Sequence, residues 1–268
     1  MRISNKFKCL VLAGALLMSL PVNAFAKGPE KNEKSHEKVE LDYVALGDSL
    51  AVGYTPFGPG KVGYPFYISQ YFGKSGFKVD YDNYAVPGYT SVQLANDVLT
   101  NKLVRKGIQE AEYITIDIGG NDLLAALKVD PTGLTAPAAI ASASGNIQTI
   151  LKTIDKLNHH AKVYVMGYYN TFPYLPEQQQ AGLIPLLVAL NGQISTLSKA
   201  NGDTYVPTFD VIASNYPAYL PNPTNIHLSL AGYEIVADQF WNEIDNSLPN
   251  RDCDDHHHKG KNDHHHHR

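Results

Sequence analysis

Short apolar runs of strand length alternate along this chain with stretches in which apolar residues recur every three or four positions, and that alternation confines it to one class of architecture. Asp42–Leu46, Lys78–Tyr84, Tyr113–Ile118, Lys162–Gly167 and a short run at Thr204–Val206 read as strands. Between the third and fourth runs, Ile140, Ala143, Ile147, Ile150, Ile154 and Leu157 mark one apolar helix face of about five turns. Tyr233, Val236, Phe240, Ile244 and Leu248 repeat that pattern near the end, with Ser229 placed to cap the helix and Pro249 to stop it. Strands that alternate with helices build a mostly parallel sheet of about five strands with helices on both faces. No internal repeat and no second domain boundary interrupt the pattern.

The ends of the chain do not share it. Residues 1–26 carry Arg2, Lys6 and Lys8, then the apolar run Cys9–Leu20, then Pro21 and the small-residue pattern Ala24-Phe25-Ala26. That is the layout of a secretory signal peptide cut near Ala26, which predicts a secreted, extracellular or cell-wall-associated product. The apolar run is 12 residues, short of the ~20 that span a bilayer, so no permanent membrane anchor is expected. Residues 27–40 alternate Lys and Glu as a solvated linker, and 250–268 form a polar tail rich in His, which leaves 41–249 as the folded domain. Of the two Cys, Cys9 departs with the leader and Cys253 lies in the tail, so an apolar core and not an internal disulfide must hold the fold. Hydrophobic residues make up 44% of the chain, enough for that core. The net charge is −4 and the basic residues form no stripe, so nucleic acid is not an expected partner.

Polar residues that could do chemistry stand where the strand candidates end. The first runs into Gly47-Asp48-Ser49, and open α/β sheets place their ligands at such carboxyl ends, although Ser49 could equally cap the next helix. After the second comes Pro87-Gly88, which is either an ordinary turn or a site where a bare backbone N–H meets a ligand oxygen. The third ends in Gly119-Gly120-Asn121-Asp122, where Asn121 either caps a helix starting near Leu123 or offers its amide to a developing oxyanion. His227 precedes the last helix. Of 11 His, seven lie in the tail and His36 in the linker, while His159 and His160 fall in a polar turn, so His227 is the candidate imidazole base.

These four pieces, in this order, resemble the sequence blocks of the SGNH hydrolases, the GDSL esterase/lipase family, over essentially the whole span from Asp42 to Leu248. The resemblance implies a three-layer α/β/α sandwich, flavodoxin-like in its sheet, and hydrolysis of carboxylic esters through an acyl-enzyme. Ser49 is then the nucleophile, His227 the general base, and the N–H groups of Ser49 and Gly88 with the Asn121 amide the oxyanion hole. No metal or organic cofactor is required. Family members usually carry an Asp three residues before the histidine, and some two before. Here those positions are Thr224 and Asn225, so the orienter of His227 is Asn225, a backbone carbonyl near Thr224, or a carboxylate from elsewhere such as Asp210.

The substrate is less constrained. Segments 54–67, 168–176 and 215–223 are rich in Tyr, Pro and Gly, as loops over strand ends that form an aromatic cleft would be. The run Leu183–Leu190 is buried core, the wall of an acyl pocket or a lid. A small or medium acyl ester is favoured over a lipid, a phospholipid or an acetylated sugar, the last of which would make the protein a carbohydrate O-acetyl esterase. A monomer is expected. The non-enzymatic alternative is an exported metal-binding protein using His256, His257, His258, His264, His265, His266 and His267, a set that binds Zn, Ni or Cu loosely without a folded site.

Overall fold

The computed structural model describes residues 38–248. The leader, nearly all of the linker, Pro249 and the histidine tail lie outside the described residues. In chain order the elements are β1 (Glu40–Gly47), α1 (Ser49–Val52), α2 (Tyr64–Lys74), β2 (Lys78–Asn83), α3 (Ser91–Thr100), α4 (Lys102–Glu110), β3 (Tyr113–Asp117) and α5 (Gly120–Val129). There follow α6 (Ala136–Leu157), β4 (Lys162–Met166), α7 (Glu177–Asn201), β5 (Thr204–Val206), α8 (Phe209–Ala213), α9 (Tyr216–Tyr219) and α10 (Leu230–Asp245). All five anticipated strands are present. Glu40, assigned above to the linker, instead opens β1, where it pairs in register with Lys78 and its carboxylate meets the Lys78 ammonium at 2.6 Å.

The sheet is wholly parallel, in the order β2-β1-β3-β4-β5. Its strand order reverses between β1 and β3, so a crevice opens beyond the carboxyl ends of those two strands, where such sheets bind ligands. The helical crossovers put α2 and α10 on one face and α3 to α7 on the other, giving three layers. Under α2 and α10 the buried layer is aromatic: Tyr43, Tyr64, Phe72, Tyr113 and Phe240 pack ring against ring, Tyr64 stacking on Phe240 at 4.7 Å. On the opposite face Ile114, Ile116 and Ile118 meet the apolar side of α6, whose Ile140, Ala143, Ile147, Ile150 and Ile154 are buried at the spacing read from the sequence.

α10 begins where its cap predicts, with the Ser229 hydroxyl accepting from the Gly232 N–H at 3.1 Å. It stops at Asp245, earlier than Leu248, because Ser247 is pinned to the sheet: its hydroxyl lies 2.8 Å from that of Tyr164, and Lys162 and Tyr113 both donate to its carbonyl. α7 is the one helix among the described residues long and apolar enough to cross a membrane by length and composition. It packs instead on α6, β4 and β5, with Leu190, Ile194 and Ser198 buried.

Candidate active site

Ser49 is the first residue of α1, directly beyond β1, and is 8% exposed. It does not cap that helix. Asp48 does, accepting the Leu50 N–H at 3.0 Å, which leaves the Ser49 hydroxyl free to face outward. Gly47 is needed just before it because a Cβ there would sit 2.4 Å from Asp117 Oδ1. His227 reaches the same point from the loop ahead of α10, its Nε2 lying 2.9 Å from Ser49 Oγ. Tyr169 holds that loop by donating its hydroxyl to the Ile226 carbonyl at 2.7 Å, and the Tyr54 ring rests against the imidazole at 5.6 Å.

Asn225 takes the position behind the histidine. Its Oδ1 accepts the His227 backbone N–H at 2.9 Å and lies 2.8 Å from His227 Nδ1. A backbone N–H can only donate, so the atom facing it must be the amide oxygen; Nδ1 therefore carries the proton, and Nε2 turns a bare lone pair to the serine hydroxyl. Among the described residues the hydrogen-bond partner of His227 Nδ1 is Asn225 Oδ1, and neither a backbone carbonyl near Thr224 nor the Asp210 carboxylate takes that place. With an amide in place of a carboxylate, only burial acts on the imidazole, and it pushes its pKa below the ordinary histidine value.

Gly88 forms the third corner of a β-turn closed by the Tyr89 N–H donating to the Val86 carbonyl at 3.1 Å, and its φ of 80° is what requires glycine. Close approach does not: a Cβ at Gly88 would meet open space. Asn121 lies in the first turn of α5, whose cap is Gly119, so it does not cap a later helix. Its amide donates to the Tyr89 carbonyl at 2.9 Å and to Asp48 Oδ2 at 3.2 Å. Asp122 fixes the spacing of these pieces by accepting both the N–H (2.8 Å) and the hydroxyl (2.7 Å) of Ser91 at the start of α3. Among the described residues, neither the Ser49 nor the Gly88 backbone N–H donates to a protein acceptor.

Beneath the serine lies a pair of buried carboxyls that the sequence reading missed. Asp117, at the end of β3, stands level with Gly47 in the sheet register and is fully buried. Its carboxyl accepts the Tyr64 hydroxyl at 2.7 Å and the Asp48 N–H at 3.2 Å, beside the Asp48 carboxyl. Asp48 also accepts the Tyr168 hydroxyl and the Asn121 amide, both at 3.2 Å. Burial raises both carboxyls, and Asp117 further because the Asp48 charge adds to its burial, so the pair holds on to a proton above the ordinary aspartate range, with Asp117 its favoured site. The signal was present as an acidic residue in a strand with no alternation to excuse it.

A cleft opens beside Ser49, lined on one side by α5 and on the other by α7. The segment 168–172 contributes to it, whereas 54–67 and 215–223 do not line it, the latter serving to hold the histidine loop. His159 and His160 are exposed, in the turn before β4. Among the described residues no group of three or more His, Cys, Asp or Glu could hold a metal, and the tail histidines lie outside them.

Residues 45–235 match the GDSL-like Lipase/Acylhydrolase family. Protein YpmR of Bacillus subtilis (strain 168) is 32% identical over 171 residues, 61% of this chain and 66% of that relative's length. Among solved structures, the lipase Lip_vut3 from a goat rumen metagenome is similar with a TM-score of 0.64 at 22% identity, over 76% of this chain and 96% of that one. The acetylxylan esterase Axe2 of Geobacillus stearothermophilus is similar with a TM-score of 0.57 at 16% identity, over 78% and 96%. Since the family match covers both the serine at the end of β1 and the histidine ahead of α10, the chain belongs to the GDSL-like lipase/acylhydrolase family.

Proposed function

We propose that this protein is a serine hydrolase of carboxylic esters that works through an acyl-enzyme. The observation that carries the reading is the relay from Ser49 Oγ through His227 to Asn225, with the tautomer set by the backbone N–H of His227. Ser49 Oγ attacks the ester carbonyl carbon while its proton passes to His227 Nε2. The negative charge that develops on the carbonyl oxygen meets the unengaged N–H groups of Ser49 and Gly88. The Asn121 amide joins them by exchanging the Tyr89 carbonyl for the substrate oxygen. Each such donor supplies about 3 kcal/mol of transition-state stabilisation. As the C–O bond to the alcohol breaks, His227 returns the proton to the leaving oxygen. Water then attacks the acyl-enzyme with His227 again taking a proton, releasing the acid and restoring Ser49.

The imidazole held below its ordinary pKa is neutral near neutral pH, as a general base must be. The signal-peptide layout of residues 1–26 supports an exported role for this activity. The test is Ser49→Ala assayed with p-nitrophenyl butyrate: we expect a loss of at least about a thousandfold in kcat with an unchanged circular dichroism spectrum. Retained turnover in that variant would overturn the assignment.

A further inference from the structure

The cavity beside Ser49 has a lining that the chemistry of ester hydrolysis does not by itself demand. α5 and α7 both pack on α6 and leave a slot between them. Leu124 and Leu127 of α5 form one wall and Leu183 and Leu187 of α7 the other, over a floor of buried Leu123 and Leu190. The i, i+3 and i, i+4 spacing of these leucines turns one face of each helix to the slot. All four wall leucines are only partly buried, so two apolar helix faces stand open to each other. The slot continues into a second cavity that shares Leu124, Leu127, Leu183 and Phe172 with the first and reaches a mouth at Lys128, Gln178 and Gln179.

The walls offer little to a sugar. The Asn170 carboxamide in the lining is already engaged: its amide donates to Gln180 and its carbonyl accepts the Phe172 N–H. The slot also has a direction. It is lined at its inner end by Ser49, Gly120 and Asn121 and by no atom of His227. In the proposed reaction the leaving alcohol must lie toward His227, which protonates it, so a chain lying in the slot belongs to the acyl half of the ester.

We infer that the slot between α5 and α7 is an acyl-chain site and that the substrates are esters of straight-chain carboxylic acids longer than acetate, an assignment that rests on the ester hydrolase reading above. Burying each further methylene raises kcat/KM about fourfold, the equivalent of about 0.8 kcal/mol per CH₂, until the slot is filled. Leu183 is one of the four residues that line both cavities, and the one of them that α7 contributes, so enlarging it should block the slot from the α7 side.

The experiment compares kcat/KM for p-nitrophenyl acetate, butyrate, octanoate and dodecanoate in the wild-type protein, in Leu183→Trp and in Val188→Trp, a substitution at an exposed α7 position that does not line the slot. Calorimetric titration with decanoate runs beside it as a readout that needs no turnover. We expect wild-type kcat/KM to climb from acetate to octanoate. Leu183→Trp should lower the octanoate-to-acetate ratio at least tenfold and weaken decanoate binding, and Val188→Trp should keep the wild-type ratio. A wild-type series that is flat or falls from acetate, or a ratio that Leu183→Trp leaves unchanged, overturns the acyl site while leaving ester hydrolysis standing. Decanoate binding that depends on Leu183, with no ester turned over, would support the slot and overturn the hydrolase reading instead.

Discussion

Asn225 makes His227 an unusual base, since it orients the ring without lending it a charge. Its oxygen fixes the tautomer through two contacts, to His227 Nδ1 at 2.8 Å and to the His227 N–H at 2.9 Å. A carboxylate there would keep the first contact and add an attraction for the imidazolium that the amide lacks. Asn225→Asp should therefore retain or improve turnover and move the acid limb of the kcat/KM profile to higher pH by about one unit, since the protonated ring is stabilised. The pH–rate profile of the variant measures this; a collapse of turnover at neutral pH would mean that the amide itself is required. At this scale the sequence was informative where function sits on strand ends and poor where it depends on register. Ser49 and Asn121 follow apolar runs and stand out, and His227 is singled out by where the other histidines lie. Asp117 is an acidic letter inside Tyr-Ile-Thr-Ile-Asp, and only the pairing of β1 with β3 sets it against Gly47 and under Asp48. Asn225 was legible as a candidate, but choosing it over Thr224 and Asp210 took the path of the loop.

β1, β3 and α2 meet at the Asp48–Asp117 pair, with Tyr64 of α2 closing it from above. Because Asp117 keeps its proton in the folded protein and loses it on unfolding, the folded state binds more protons above the ordinary aspartate range. Stability consequently falls as pH rises through that window, by about 1.4 kcal/mol per pH unit for one retained proton. Asp117→Asn removes the titration while keeping the size of the side chain and one of its two acceptor oxygens. Urea midpoints at about pH 5 and about pH 8 should therefore show the variant gaining on the wild type at the higher pH, and parallel shifts would contradict the protonated pair. The elements themselves were largely readable, because strand-length runs and a 3.6-residue period survive tertiary context. The exceptions have physical reasons. α10 ends early because Ser247 is tied to Tyr164, Tyr113 and Lys162, and α5 begins early because Gly119 serves as its cap. α7 gave an ambiguous signal: it is apolar on the side that packs on α6 and again on the side that faces the slot, so its sequence reads as core, pocket wall and membrane span at once.

The molecule as a whole is a parallel sheet that gathers chemistry at its switch point. β1 delivers the serine, the loop after β2 the glycine turn, β3 the asparagine, and the loop before α10 brings the histidine back across the top. The acyl slot then lies to the α5–α7 side and the leaving group to the α10 side, so the two halves of an ester are sorted by the layers of the fold. That account stands on Ser49 being the residue that forms the covalent bond. Diethyl p-nitrophenyl phosphate tests it directly, since attack by an activated serine transfers the phosphoryl group to Oγ, releases p-nitrophenolate and leaves a stable adduct. Peptide mapping by mass spectrometry should find one diethylphosphoryl group per chain, on Ser49, absent when Ser49 is replaced by Ala. An adduct on another residue with Ser49 unmodified, or ester hydrolysis that continues undiminished with no adduct formed, would contradict it.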